Sequence, residues 1–98
     1  MSFSISHDHP CLPGHFPGHP LVPGVVLLDQ VVGLIEARHG PLGPLRLPQV
    51  KFMQPLLPGE VAQIALESLA ALPGETSRWR FRVSRAGAPI ASGEVVAA

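Results

Sequence analysis

Residues 14–30, GHFPGHPLVPGVVLLDQ, join a stiff loop to the start of the longest apolar run in the chain. Three prolines and two glycines lie between His15 and Asp29, which excludes regular helix or central strand from the first half of the stretch. Downstream, VVLLDQVVGLI contains Gly33 as its only breaker, so a helix is expected from about Pro23 to His39. Its ends agree: proline opens it, Gly40 follows it, and Arg38 and His39 occupy the last turn, where the helix dipole favours cations. Val25, Val26, Leu27, Leu28, Val31, Val32, Leu34 and Ile35 cover nearly the whole circumference, the pattern of a helix buried on most sides. At about 1.5 Å per residue it spans roughly 24 Å, enough to cross a small domain.

Working outward, Ser2 to Ser6 alternates Phe3 and Ile5 with serines, as a short half-buried strand does. His7 to Pro23 carries five of the twelve prolines and is expected to be a stiff, packed loop. Beyond the turn-rich GPLGP, Leu45 to Leu56 reads as a strand broken or bulged near Pro48, and LPGE at 57–60 as a turn. Val61 to Leu69 alternates, LPGET turns the chain again, and RWRFRVSR points Trp79, Phe81 and Val83 inward with Arg78, Arg80 and Arg82 outward. A last strand runs from Ile90 to Val96. One apolar helix beside an antiparallel meander has an economical solution, an α+β domain whose sheet of about five to six strands curls around the helix.

The 98 residues suffice for a single domain, 1–98, though a chain this short buries a modest share of its surface. With 46% hydrophobic and only 14% charged residues, some apolar surface is expected to be covered by a partner subunit. Seven Lys plus Arg against seven Asp plus Glu leaves no net charge, which argues against a nucleic-acid partner. The start of the chain lacks the features of a signal peptide, and Leu21 to Ile35 is too short to span a bilayer, so the expected place is the cytoplasm, with no membrane partner. Cys11 excludes an internal disulfide and reads as a small apolar filler before it reads as a nucleophile. His7, His9, His15 and His19 fit no common zinc spacing, and the prolines among them prevent helical pairing of ligands, so no metal is expected.

The segment HFPGHPLVPGVVLLDQ, with this architecture, resembles the hot-dog-fold 3-hydroxyacyl-(acyl carrier protein) dehydratases. The match lies in HFPG, a proline two residues later, PG before the helix, and a carboxylate fourteen residues after the histidine; KFMQPLLPGE at 51–60 extends it. The resemblance implies dehydration of 3-hydroxyacyl thioesters, carried on acyl carrier protein or CoA, to trans-2-enoyl thioesters without a cofactor. It also implies a homodimer or a dimer-based higher oligomer, in which the histidine and the acid of one active site come from different subunits.

The residues support that chemistry directly. Dehydration needs a base for the C2 proton, stabilisation of a developing enolate oxygen, and an acid for the departing hydroxyl. His15 suits the base near neutral pH. Gly24 presents a first-turn N–H at the positive end of the helix, placed to polarise a thioester carbonyl, with Pro23, Val25 and Phe16 expected to contact the substrate. Asp29, about 7.5 Å further along the axis, is the one acid in an apolar run, and its expected burial would raise its pKa and suit it to donate a proton.

Each residue has a plainer reading. By spacing alone His15 is first a loop histidine satisfying backbone groups; Asp29 has the alternative of a structural acid tied to a loop N–H, though burying a lone acid on an apolar helix favours function, and Gly24 has a close-packing role compatible with the functional one. Arg78, Arg80, Arg82 and Arg85 form a solvated strand face, or else face an acidic carrier protein or a phosphopantetheine phosphate. Two features depart from the family pattern: Gly33 stands where glutamine is common, and the acid is aspartate where glutamate is commoner. The alternatives to a dehydratase are a hot-dog acyl thioesterase and a non-catalytic acyl or acyl-carrier binding module.

Overall fold

The computed structural model describes residues 1–5 and 22–97. Its elements are β1 (Ser2–Phe3), α1 (Gly24–His39), β2 (Leu45–Arg46), β3 (Lys51–Phe52), β4 (Ala62–Leu69), β5 (Ser77–Arg85) and β6 (Ala88–Ala97). The six strands form one antiparallel sheet in the order β1-β4-β5-β6-β2, with β3 also paired to β6. One face of α1 packs on the inner face of that sheet, so the expected α+β hot-dog architecture is the one observed. The strand expected from Ser2 to Ser6 closes at Phe3; Ile5 is nevertheless buried, and its carbonyl accepts from the Gly59 N–H at 2.8 Å.

The helix starts and stops where its residues dictate. Pro23, at φ −60° and ψ 145°, is extended and cannot donate, and its carbonyl accepts the first intrahelical bonds from Val26 and Leu27. Gly40 ends the helix at φ 84°, a conformation costly for residues with a Cβ, and its N–H donates to Glu36 O at 2.8 Å. The His39 ring sits 5.4 Å from that of Trp79, fastening the last turn to β5.

Burial around the helix departs from the expectation. Val26, Leu27, Val31, Leu34 and Ile35 are buried, whereas Val25 is 62% exposed and Asp29, Gly33 and Glu36 are exposed as well. One sheet covers one side of a helix. The opposite stripe, Val25, Asp29, Gly33 and Glu36, therefore faces outward, carrying one large apolar side chain and two carboxylates.

The inward pattern of β5 is as read: Trp79, Phe81 and Val83 are buried, and Phe81 and Val83 meet Ile35, Ile90 and Val95 in one core. The break near Pro48 proves consequential. Gln49 takes a left-handed φ of 58°, and β2 and β3 pair with β6 on either side of it in different registers. Leu45 opposes Ala97, and an unbroken ladder would set Lys51 opposite Ala91; it opposes Ser92 instead. Because strand side chains alternate, this one-residue slip sends Lys51 to the outer face and Phe52 toward the helix.

The two LPGE sequences fold alike. Proline then a positive-φ glycine, Gly59 at 85° and Gly74 at 88°, make the turn, and the glutamate carboxylate accepts from the leucine N–H at 2.8 Å in the first and 2.9 Å in the second. Each glutamate also holds an arginine: Glu60 holds Arg85 at 2.9 Å, and Glu75 holds Arg78 at 2.7 Å and Arg46 at 3.3 Å. The hydrogen bonds from Arg78 and from the Leu72 N–H pull the Glu75 carboxyl from 4.5 down to about 2. A depressed carboxylate contributes stability that is present above its unfolded pKa and is lost as pH falls toward its folded value. Urea unfolding midpoints of the wild type are therefore expected to drop between about pH 4.5 and 2, and Glu75→Gln to flatten that part of the curve.

Candidate active site

An open cleft of about 500 Å³ lies at the N-terminus of α1. One wall is Val22, Pro23, Gly24 and Leu27; the other is the segment from Phe52 to Leu56. The walls are tied together by a hydrogen bond from Val22 N–H to Leu56 O at 2.8 Å. Arg85 braces the second wall from behind, donating to Pro55 O at 2.8 Å, Gln54 Oε1 at 3.2 Å and Glu60 Oε1 at 2.9 Å. Apart from Gln54 the lining side chains are apolar, so a polar group entering the cleft meets the helix terminus between apolar walls.

Gly24 is required there by contact. A Cβ on it would lie 2.6 Å from Cζ and 2.9 Å from Cε1 of Phe52, so the ring rests directly over the first residue of the helix. The N–H groups of Gly24 and Val25 find no backbone acceptor among the described residues, as expected for the first turn of a helix. Gly24 lines the cleft, so the positive end of the helix dipole lies at its wall, an arrangement that favours a developing oxyanion.

The predicted site residues are placed unevenly. Pro23 and Gly24 line the cleft; Val25 lies just outside it, largely exposed. Asp29 is exposed on the outward stripe of α1 and does not line the cleft, which corrects the expectation of an acid buried within the chain: among the described residues the sheet covers only the opposite side of the helix. His15 and Phe16, like His7, His9, His19 and Cys11, lie outside the described residues. Gly33 is exposed, and a Cβ there would meet nothing within 4 Å among the described residues.

Two residues were missed by sequence reading. Phe52 (53% exposed) and Met53 (45% exposed) are large apolar side chains that the chain leaves in the open at the cleft. The available signal was the pair of adjacent apolar residues in KFMQ, which breaks the alternation of a half-buried strand. The arginine row, in turn, resolves into internal clamps. Arg78 pairs with Glu75 and Glu94, Arg80 with Glu67 at 3.7 Å, and Arg85 with Glu60; Arg82 has no ion pair among the described residues. Among the described residues no group of three or more His, Cys, Asp or Glu is placed to hold a metal, and no helix is long and apolar enough to cross a membrane.

Gly24 invites a test. Phe52 is half-exposed and its ring end is free to swing, so Gly24→Ala is expected to leave thermal stability within about 1 kcal/mol of wild type while displacing the ring into the cleft. If the cleft carries the dehydration implied by the resemblance, turnover is expected to fall at least about tenfold, since small misplacements at a reacting centre are costly.

The model of the ApeI-like family, described as ApeI dehydratase, matches residues 1–94, and the chain belongs to that family. Among curated proteins it is 35% identical over 83 residues to the 3-hydroxyacyl-[acyl-carrier-protein] dehydratase FabZ of Mannheimia succiniciproducens and 32% identical over 83 residues to that of Haemophilus influenzae. Each alignment takes in 76% of this chain and 55% or 56% of the relative, so the chain spans about half the length of these curated relatives. Among solved structures, the dehydratase heterocomplex ApeI:P from Xenorhabdus doucetiae superposes with a TM-score of 0.75 at 24% identity, covering 97% of this chain and 81% of that one, which supports the shared fold.

Proposed function

We propose that this protein is a cofactor-independent hydro-lyase that dehydrates 3-hydroxyacyl thioesters, carried on acyl carrier protein or CoA, to trans-2-enoyl thioesters. In this reading residues 1–98 form one domain that acts in the cytoplasm, within fatty acid or polyene and polyketide synthesis. The observation that carries the reading is the first turn of α1, with Gly24 N–H free of a backbone acceptor among the described residues and opening into an apolar cleft. In this reading the thioester oxygen accepts from that N–H, which lowers the cost of the enolate formed when His15 removes the C2 proton. Asp29 then delivers a proton to the departing hydroxyl.

The outward position of Asp29 supports a site shared between two subunits. An acid on an exposed helix stripe between Val25 and Gly33, away from the chain's own cleft, is available to a second copy that covers the stripe. The protein then works as a homodimer, or a dimer-based higher oligomer, whose interface supplies the enclosure that a single chain lacks.

One assay separates the readings. The protein is incubated with a 3-hydroxyacyl thioester while enoyl absorbance and free thiol are followed together. Enoyl product without thiol is expected; free thiol would identify a thioesterase, and neither signal would leave an acyl or acyl-carrier binding module.

A further inference from the structure

The Phe52 ring takes the place that a side chain on Gly24 would have. Its Cζ, Cε1 and Cε2 atoms lie 2.6, 2.9 and 3.1 Å from the position of a Cβ there. Helical Cα–Cβ bonds tilt toward the N-terminus. A ring filling that position on the first residue of α1 therefore stands beside the first-turn N–H groups, not further down the helix.

The backbone holds it there. Left-handed Gln49, in a conformation that residues other than glycine seldom accept, makes the register slip that turns Phe52 to the helix side. Phe52 then opposes Ala91 of β6, and the next N–H, that of Met53, donates to Ile90 O at 2.7 Å. Burial does not account for the ring, which is half-exposed and lies outside the cluster of buried core residues. Its close contact is instead with the helix terminus, over a glycine that admits it.

That contact changes what the terminus offers to a ligand. An N–H without an acceptor in the protein is met by water, which competes with a ligand oxygen and screens the helix dipole. With the ring against Gly24, and Pro23 and Leu27 also lining the cleft, fewer directions are left from which water reaches that N–H. A hydrogen bond from it to a carbonyl oxygen is electrostatically stronger in such surroundings.

We propose that Phe52 is a positioning residue for the thioester carbonyl: its ring shields the Gly24 N–H from water, so that the thioester oxygen accepts from it without a competitor and is polarised more strongly. The inference rests on the proposed seat of the thioester oxygen at Gly24, and polarisation is measured apart from turnover.

The test is infrared difference spectroscopy of butyryl pantetheine, isotope-labelled at its carbonyl, bound to the wild type, Phe52→Ala and Phe52→Leu. This thioester has no hydroxyl to lose, so it stays intact. On the wild type its carbonyl stretch is expected at lower wavenumber than in water. In Phe52→Ala it is expected to return toward the water value, and in Phe52→Leu, whose side chain still covers the glycine, to stay near the wild type. Thermal melting is expected to be unchanged in both variants, because the ring is half-exposed. With a 3-hydroxyacyl thioester, Phe52→Ala is expected to lower kcat at least about tenfold while KM changes less than about threefold. A raised KM at unchanged kcat would make Phe52 a grip on the acyl chain and overturns the proposal, as does a wild-type carbonyl shift that persists in Phe52→Ala. A bound thioester without any shift on the wild type removes its oxygen from Gly24, and the proposal falls with it. If the shift depends on Phe52 and no enoyl product forms from the 3-hydroxyacyl thioester, the dehydratase reading fails and the shielded carbonyl site stands.

Discussion

In the proposed mechanism His15→Ala and Asp29→Asn are each expected to reduce kcat for 3-hydroxyacyl thioester dehydration by roughly 10²- to 10⁴-fold, the range that follows when a general base or acid is removed. The fold survives Asp29→Asn, since Asp29 is exposed within the chain and the change keeps its shape. The two inactive variants are also expected to complement one another. In a mixed dimer with sites shared between subunits, one site combines both altered residues and the other combines the intact histidine with the intact acid. Co-expression followed by isolation of a doubly tagged mixed dimer should therefore recover up to about half of the wild-type activity per dimer. A verified mixed dimer as inactive as its parents would place both residues in one subunit's site.

Phe81→Ala is expected to have the largest effect on stability, a loss of about 3–5 kcal/mol. Phe81 is fully buried at the centre of β5, opposite Leu66 on one side and Gly93 on the other. A Cβ on Gly93 would lie 3.1 Å from the Phe81 ring, so the ring occupies the space that glycine leaves, and alanine would open a cavity between the middle strands and the helix. Against a total of roughly 5–15 kcal/mol for a domain, this is enough to depopulate the native state well below the wild-type melting temperature. Urea unfolding followed by tryptophan fluorescence checks it, since Trp79 is buried two residues away on the same face. A loss under about 1 kcal/mol would show that the core relaxes into the space.

Much of the fold was legible because local patterns are strong in this chain. The proline and glycine punctuation placed α1 within one residue of its observed start, and strict alternation in RWRFRVSR identified the inward residues of β5. Both LPGE turns were visible for the same reason, proline and glycine each restricting φ in the sense the turn needs. Burial around the helix was not legible. Val25 is as apolar as Val26, and composition does not say which side of a helix the sheet will take. Asp29, expected to be buried, is exposed within the chain on that account.

The candidate site divides the same way. Pro23 and Gly24 were found from sequence because a helix terminus is a local event. Phe52, Met53 and Arg85 come from segments that meet the helix only through the sheet, and the residue separation leaves no local trace of that meeting. The register of β3 is the clearest instance. A single left-handed residue at Gln49 decides which of Lys51 and Phe52 faces the cleft, and neither side chain's type would reveal it.

The amino-acid sequence by itself determined the apolar helix, its proline start and glycine stop, the meander that follows, and the pairing of a loop histidine with a helix acid at a spacing of fourteen, because short-range sterics and periodicity act within a few residues. Only the tertiary structure decided which face of α1 is covered, that Phe52 lies against Gly24, and that Lys51 and Arg82 share one face. Those outcomes depend on strand register and long-range packing, where energies of distant segments are settled together.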